Sequence, residues 1–287
     1  MMKKFPRTQV AGISLPRMLI GTNWMLGWSH KTTSLDAHIR KTFAKPEDFY
    51  SVIEAFLTYD IDCMMGFTHQ MPILQEAIKY TEDKTGKKLI LIDTPYFNVS
   101  DTKEARKEAE EAIKASAKSG AKFCFPHHST VEKLVDKDKG VIKRLDDYTY
   151  MIREAGMIPG LSAHMPEIIT YTDANGYDVE TYIQLFNCMG YLMQVEIETV
   201  ASIIHSAKKP VMTIKPMAAG RLTPYVGLTF NWNAIRDIDM ITVGCFSAEE
   251  VHEDVEISFA AFERRFPGMA KRSSPNQKQA AFGESEA

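Results

Sequence analysis

No two of the four cysteines, Cys63, Cys124, Cys188 and Cys245, lie near one another in the chain, so there is no CxxC element for a structural zinc or a redox dithiol. Each sits among apolar neighbours, and buried, reduced thiols in a cytoplasmic protein are the expectation. Long hydrophobic runs are also lacking. No window approaches the roughly 18 apolar residues that a spanning helix needs, and the opening MMKKFPRTQVAG has no apolar core before Pro6. Neither sign of charge dominates: 34 Lys+Arg stand against 37 Asp+Glu, a formal net charge of −3, with no local basic stripe. A general electrostatic pull toward nucleic acid or an anionic membrane is thereby excluded, and a small molecule is the expected partner. With 45% hydrophobic and 25% charged residues, disorder, collagen and a disulfide scaffold are excluded too.

What is present is a regular beat of apolar runs and helical spacing. Strand-like segments fall at Met18–Thr22, Asp62–Met65, Leu89–Asp93, Lys122–Phe125, Met157–Ser162, Glu180–Phe186, Val211–Lys215 and Met240–Cys245. Between them, helical patterns run over Pro46–Tyr59, Pro72–Glu82, Thr102–Ser119, Lys143–Ala155, Pro166–Ala174, Glu196–Lys208, Pro224–Ile238 and Ala248–Phe266. Pro46, Pro72, Pro166 and Pro224 suit first-turn positions, and Gly86, Gly120, Gly156 and Gly176 fall where helices should stop. Strict β/α alternation predicts a parallel sheet, and eight units favour closure into a single-domain (β/α)8 TIM barrel. The barrel is expected over residues 1–267, with a polar tail over 268–287. The long first link, from Asn23 to Lys45, is expected to be functional or mobile.

In such a barrel the chemistry sits at the C-terminal ends of the strands. Candidates there are His30, His69, Asp93, His127, His128, His164 and Lys215. His69, Asp93, His128 and His164 come from consecutive strands, and imidazoles with a carboxylate are a ligand set for zinc or another divalent metal. Lys215 ends the apolar run VMTI, where burial would lower its basicity for acid, base or nucleophile duty, although an ion pair with Asp93 is an equal alternative. After it, KPMAAGRL places Pro216, Gly220, Arg221 and Leu222 where small residues let backbone N–H groups approach an anion. Trp24, Trp28 and several of the 16 methionines could wall the mouth for an organic ligand.

The order of motifs resembles the aldo/keto reductase superfamily, most clearly over residues 157–257. The carriers are MIPGLSAHMPEIITYTDANGYDVETYIQLFN, KPVMTIKPMAAGRL and IDMITVGCFSAEEVHEDV; LIGT, YDID and the strand-four HH match more weakly. The resemblance implies carbonyl reduction with a nicotinamide cofactor by an Asp, Tyr, Lys, His tetrad. Asp62 would be the Asp, and His127 or His128 the His. The Tyr and Lys have no counterpart, since the chain reads CMMGFTHQ and IDTP at those places. His69 or Tyr96 would then be the substitute proton donor. Ser162, Gln184 and Ser247 match cofactor-contacting positions, whereas Glu250 replaces the Arg that would meet a 2′-phosphate. NAD is therefore the cofactor implied, with NADP disfavoured.

Three readings follow. The first is a divergent oxidoreductase of this type, acting on a small carbonyl or sugar-like substrate. The second is a nonredox lyase, isomerase or hydrolase using the His/Asp metal set, with Lys215 as acid or base. The third is a catalytically silent barrel that binds a ligand, anionic if Lys215 and Arg221 define the site.

Overall fold

A computed structural model describes residues 3–268. The expected tail lies outside the described residues except for Gly268. A hairpin, β1 (Arg7–Val10) and β2 (Ile13–Pro16), precedes β3 (Met18–Gly21). Then come α1 (Thr33–Thr42), a 3-10 turn at Pro46–Phe49, α2 (Tyr50–Thr58), β4 (Cys63–Gly66), α3 (Pro72–Thr85), β5 (Ile90–Asp93) and α4 (Lys103–Lys118). After β6 (Phe123–Cys124), a short helix α5 (His128–Val131) and a small hairpin, β7 (Val135–Asp136) with β8 (Val141–Ile142), lead to α6 (Leu145–Glu154). The rest runs β9 (Ile158–Pro159), β10 (Leu161–Ala163), α7 (Glu167–Asn175), β11 (Tyr182–Leu185), α8 (Ile197–Ser206), β12 (Val211–Ile214), α9 (Pro224–Ala234), β13 (Met240–Val243) and α10 (Ala248–Phe262).

The sheet is ordered β10-β11-β12-β13-β3-β4-β5-β6-β9, every pairing parallel. β9 and β10 are two halves of one stave interrupted at Gly160, so the sheet closes on itself as a (β/α)8 barrel. Gly160 is required there: a Cβ would come within 2.3 Å of the Phe125 ring, which fills the barrel interior.

Side chains alternate along each stave, as strand geometry requires. Leu19, Cys63, Met65, Ile92, Phe123, Phe125, Ile158, Ile183, Met212 and Met240 fill the inside, together with Val10 and Leu15 from the hairpin. The intervening residues, such as Met64, Leu91 and Cys124, pack outward against the helices. The β1–β2 hairpin closes the N-terminal end of the barrel. Arg7 pairs there with Asp62 at 3.0 Å and donates to the Asp60 carbonyl.

All eight staves and eight connecting helices fall where the sequence places them. α1 is additional. It lies inside the long first link, capped by Thr32, whose side chain accepts from the Leu35 amide. Only Ile39 in it is buried, so its apolar pattern is too sparse to read as a helix.

Replacing Gly160 with Ala forces the Phe125 ring or the broken stave to move. Overpacking of this kind costs about 1–3 kcal/mol, and urea unfolding of G160A should show that loss.

Candidate functional site

The alternation that fills the interior also selects what emerges at the C-terminal mouth. Gly21, Thr94, His127, Ser162, His164 and Thr242 continue the inward parity of their staves and line a groove of about 1280 Å³. The groove runs across the mouth from Phe67 and Tyr96, past the loop after β12, to Glu250, Glu253 and Asp254 on α10. The Thr242 hydroxyl on its floor is buried with no protein partner.

At one end three imidazoles lie together, two of them stacked. His127 and His128 have ring centroids 4.1 Å apart, and His128 and His164 lie 3.7 Å apart with an interplanar angle of 16°. Burial, with the neighbouring histidines, pushes His127 down to about 4. Burial followed by His128 does the same to His164, also to about 4. These two rings are therefore neutral at pH 7. His127 caps α5, its Nδ1 standing 2.8 Å from the Ser129 hydroxyl and 3.4 Å from the Ser129 amide. Trp28 and Phe67 continue this wall, their rings edge-on at 5.6 Å, and Phe67 reaches His127 at 5.1 Å.

Glu132, just after α5, was not legible as a site residue, because nothing in the sequence separates it from a surface acid. Its Oε1 accepts from the amides of His164 at 2.6 Å and Met165 at 3.0 Å, and its Oε2 lies 3.8 Å from His128 Nδ1. Burial alone would raise this carboxyl, but the nearby His128 and the two amides outweigh it and hold it below its ordinary value.

The middle of the groove is cationic. Lys215 follows β12 at a position whose parity would send it outward. Its left-handed backbone, φ 58°, breaks the alternation and turns it into the groove. Burial, then the Arg221 charge, lowers its ammonium to about 8. Arg221 lies over the Tyr191 ring at 4.0 Å and is held by the carbonyls of Ala218 and His30. Lys31 approaches the same place over Trp24. His30 is pushed down by burial and by Lys215.

Pro216, Gly220 and Leu222 line the groove as expected, but not by offering amides. The N–H groups of Gly220, Arg221 and Leu222 all point at the Met217 carbonyl, at 2.9, 3.1 and 3.2 Å. The cationic groups that face the groove here are the side chains of Arg221, Lys31 and Lys215.

At the far end Ser247 caps α10, its side chain accepting from the Glu250 amide, while Glu250 accepts from the Phe246 amide at 2.6 Å. Ser247 is thus a capping residue and does not line the groove. Glu250 does line it, as does Asp254, whose carboxyl is pushed by burial up to about 7 and meets Cys245 Sγ at 3.4 Å.

Several sequence candidates fall elsewhere. Asp62 precedes β4 and so sits at the closed N-terminal end with Arg7, a strand's length from the groove. Gln184 has outward parity between Ile183 and Leu185 and is fully buried in the helix layer; its Nε2 reaches the carbonyls of His164 and Leu185. Asp93 is likewise outward. It accepts from Thr68, from His69 at 2.5 Å and from Ser116 of α4 at 2.5 Å, making a buried network behind the barrel wall. His69 turns away from the groove into that network, so His69 and Asp93 are not brought together with His128 and His164. This also removes Asp93 as a partner of Lys215 and His69 as a proton donor in the groove. Tyr96 does line the groove and is exposed.

No family model matches the sequence, and no curated protein matches it. Among solved structures the fold is similar to that of a Pseudomonas aeruginosa protein assigned to the aldo-keto reductases, with a TM-score of 0.66 at 10% identity, covering 91% of this chain and 98% of that one. It is also similar to an aldo-keto reductase from Klebsiella pneumoniae in complex with NADPH (TM-score 0.54, 16% identity, 93% and 92% covered). An aldose reductase from Giardia lamblia gives 0.50 at 12% identity, with 88% and 89% covered. These likenesses extend over most of the chain and support the fold, a single-domain (β/α)8 barrel. No helix among the described residues is long and apolar enough to cross a membrane.

The two misplaced carboxylates should behave differently. For Asp93, burial alone would raise the pKa, but the bonds from His69, Ser116 and Thr68 hold it below its ordinary 3.8. The stability it contributes is present above that pH and is lost as pH falls toward the folded value. Leaving a buried donor without its acceptor costs about 1–3 kcal/mol, so Asp93→Asn should show a loss of that order at pH 7 in urea titrations. Asp62→Asn breaks a half-exposed pair, and a loss under about 1 kcal/mol is expected.

Proposed function

We propose that the groove binds a nicotinamide dinucleotide, NAD in preference to NADP, and that the protein interconverts a small carbonyl compound and its alcohol. The observation that carries this reading is the groove's extent and charge order. Pockets for a single drug-sized ligand measure about 300–1,000 Å³, and 1280 Å³ has room for a long ligand with a small substrate beside it. Its sequence of neutral imidazoles, then cations, then carboxylates suits a ligand with a reactive ring, a central pyrophosphate and a terminal ribose. Arg221 and Lys31 would hold the pyrophosphate region, leaving Lys215 toward the imidazole end, where it acts on His164. The unpartnered Thr242 hydroxyl and Ser162 would face the ring end. Glu250 would accept from a ribose hydroxyl and repel a 2′-phosphate. That the Klebsiella reductase binds NADPH supports the class of cofactor.

The dinucleotide, when bound, supplies or accepts the reducing equivalent. The chain's own task is to polarise the carbonyl and manage a proton without the phenol and lysine of the usual tetrad. His127, as a neutral imidazole, would donate a hydrogen bond to the carbonyl oxygen but is too weak an acid to protonate it. Lys215, with a pKa of about 8, carries a transferable proton near neutral pH. Trp28, Phe67 and Tyr96 would exclude water from this end and favour an apolar substrate body.

Titration with NADH should quench the fluorescence of Trp24, which stands beside Gly220 and Gly244 on the groove wall. NADH should bind at least about tenfold more tightly than NADPH, and Glu250→Arg should reverse the order. Charge-assisted hydrogen bonds contribute about 1.5–3 kcal/mol, so Arg221→Ala should weaken binding roughly 10- to 100-fold. Binding of neither dinucleotide at millimolar concentration overturns the proposal. Once a carbonyl substrate is found, its reduction should slow above about pH 8 as Lys215 loses its proton, and Lys215→Met should abolish that limb of the profile.

A further inference from the structure

We propose that His128, Glu132 and His164 form a binding site for a divalent transition-metal cation in the wall of the groove. One ligand atom from each of the three lies within 4.8 Å of the others, a grouping the sequence does not reveal because Glu132 has no motif around it. His128 and Glu132 are four residues apart across the end of α5, and His164 joins them from the end of the stave containing β10.

Two details point to a cation. His128 Nδ1 is buried and has no hydrogen-bond partner. Its 3.8 Å separation from Glu132 Oε2 is too long for a hydrogen bond. Two ligand atoms bound to one cation at about 2.0–2.2 Å stand roughly 3.3–3.9 Å apart at tetrahedral or wider angles, and 3.8 Å falls in that range. The carboxylate is also aimed beforehand. Its Oε1 is fastened to the amides of His164 and Met165, which leaves Oε2 facing His128. Such outer bonds are what orient metal-ligating carboxylates.

The ligand set of two imidazole nitrogens and one carboxylate oxygen suits zinc, cobalt, nickel or ferrous iron better than magnesium or calcium. A cation must lie in the plane of each imidazole that binds it, so the stack of His128 on His164 opens on binding and one ring turns. Lys215 also acts on His164, and the Glu132 charge must offset it as well as bind. Both histidines line the groove, so the remaining coordination positions face the space open to a ligand. The site stands whether or not a dinucleotide occupies the rest of the groove.

Chelator-treated full-length protein, prepared without a polyhistidine tag, is titrated with Co²⁺ and with Zn²⁺. We expect one equivalent of Co²⁺ to develop ligand-field absorption in the visible range, and Zn²⁺ to displace it. His128→Ala, Glu132→Gln and His164→Ala should each weaken Zn²⁺ binding at least about 100-fold, while the exposed His38→Ala should leave it unchanged. Glu132→Gln keeps the acceptor for the His164 and Met165 amides, and circular dichroism of each metal-free variant confirms its fold before titration. Absence of a one-equivalent Co²⁺ spectrum, or binding unaffected in folded Glu132→Gln and His164→Ala, overturns the site. NADH quenching in the metal-free protein reads the dinucleotide proposal separately.

Discussion

Everything at the mouth of this barrel follows from the two-residue repeat of a strand inside a closed sheet. Closure divides space into an interior filled in layers by side chains from alternate staves and an outer layer under the helices. Leu19, Met65, Ile92, Phe125, Ile158 and Met240 take the inside, and the next inward positions toward the mouth become the groove. His127 and His164 are in the groove because Phe123, Phe125 and Ile158 are in the interior. Asp93 is excluded for the same reason, since Ile92 has taken the inward place.

Where the repeat is broken, the backbone shows how. Gly160 interrupts its stave and makes room for the Phe125 ring. Lys215 adopts φ 58°, a conformation uncommon for a residue with a Cβ, and thereby crosses from outward parity into the groove. The loop that follows satisfies its own amides on the Met217 carbonyl. It therefore presents the Arg221 side chain, and not those amides, to the groove. The electrostatics then divide into neutral histidines, a cationic middle and an acidic end on α10, with burial as the leading cause of the shifts at His127, His164, Lys215 and Asp254.

The elements were legible because each carries local signals. Pro72 and Pro224 open helices, Gly86 and Gly176 close them in the left-handed conformation, and Thr102 caps α4. α1 was not legible, because it rests on Thr32 and one buried side chain. In the site, His127, His128, His164, Lys215 and Arg221 could be placed at the mouth from strand ends alone. Asp62 was misplaced because it precedes its strand, and His69, Asp93 and Gln184 because nearness to a strand end does not say which face a side chain takes. Glu132 was missed because only the packing of α5 beside β10 brings it to His164.

The sequence by itself determined the (β/α)8 architecture and the strand ends from which site residues could come, since periodicity, caps and turn residues act over a few neighbours. Only the tertiary structure decided which polar groups share a cavity. Inward or outward parity, the positive φ of Lys215 and contacts between residues some 30 positions apart are set when the sheet closes and the helices dock. That separated a buried His69–Asp93 network behind the wall from the His128–Glu132–His164 cluster in the groove.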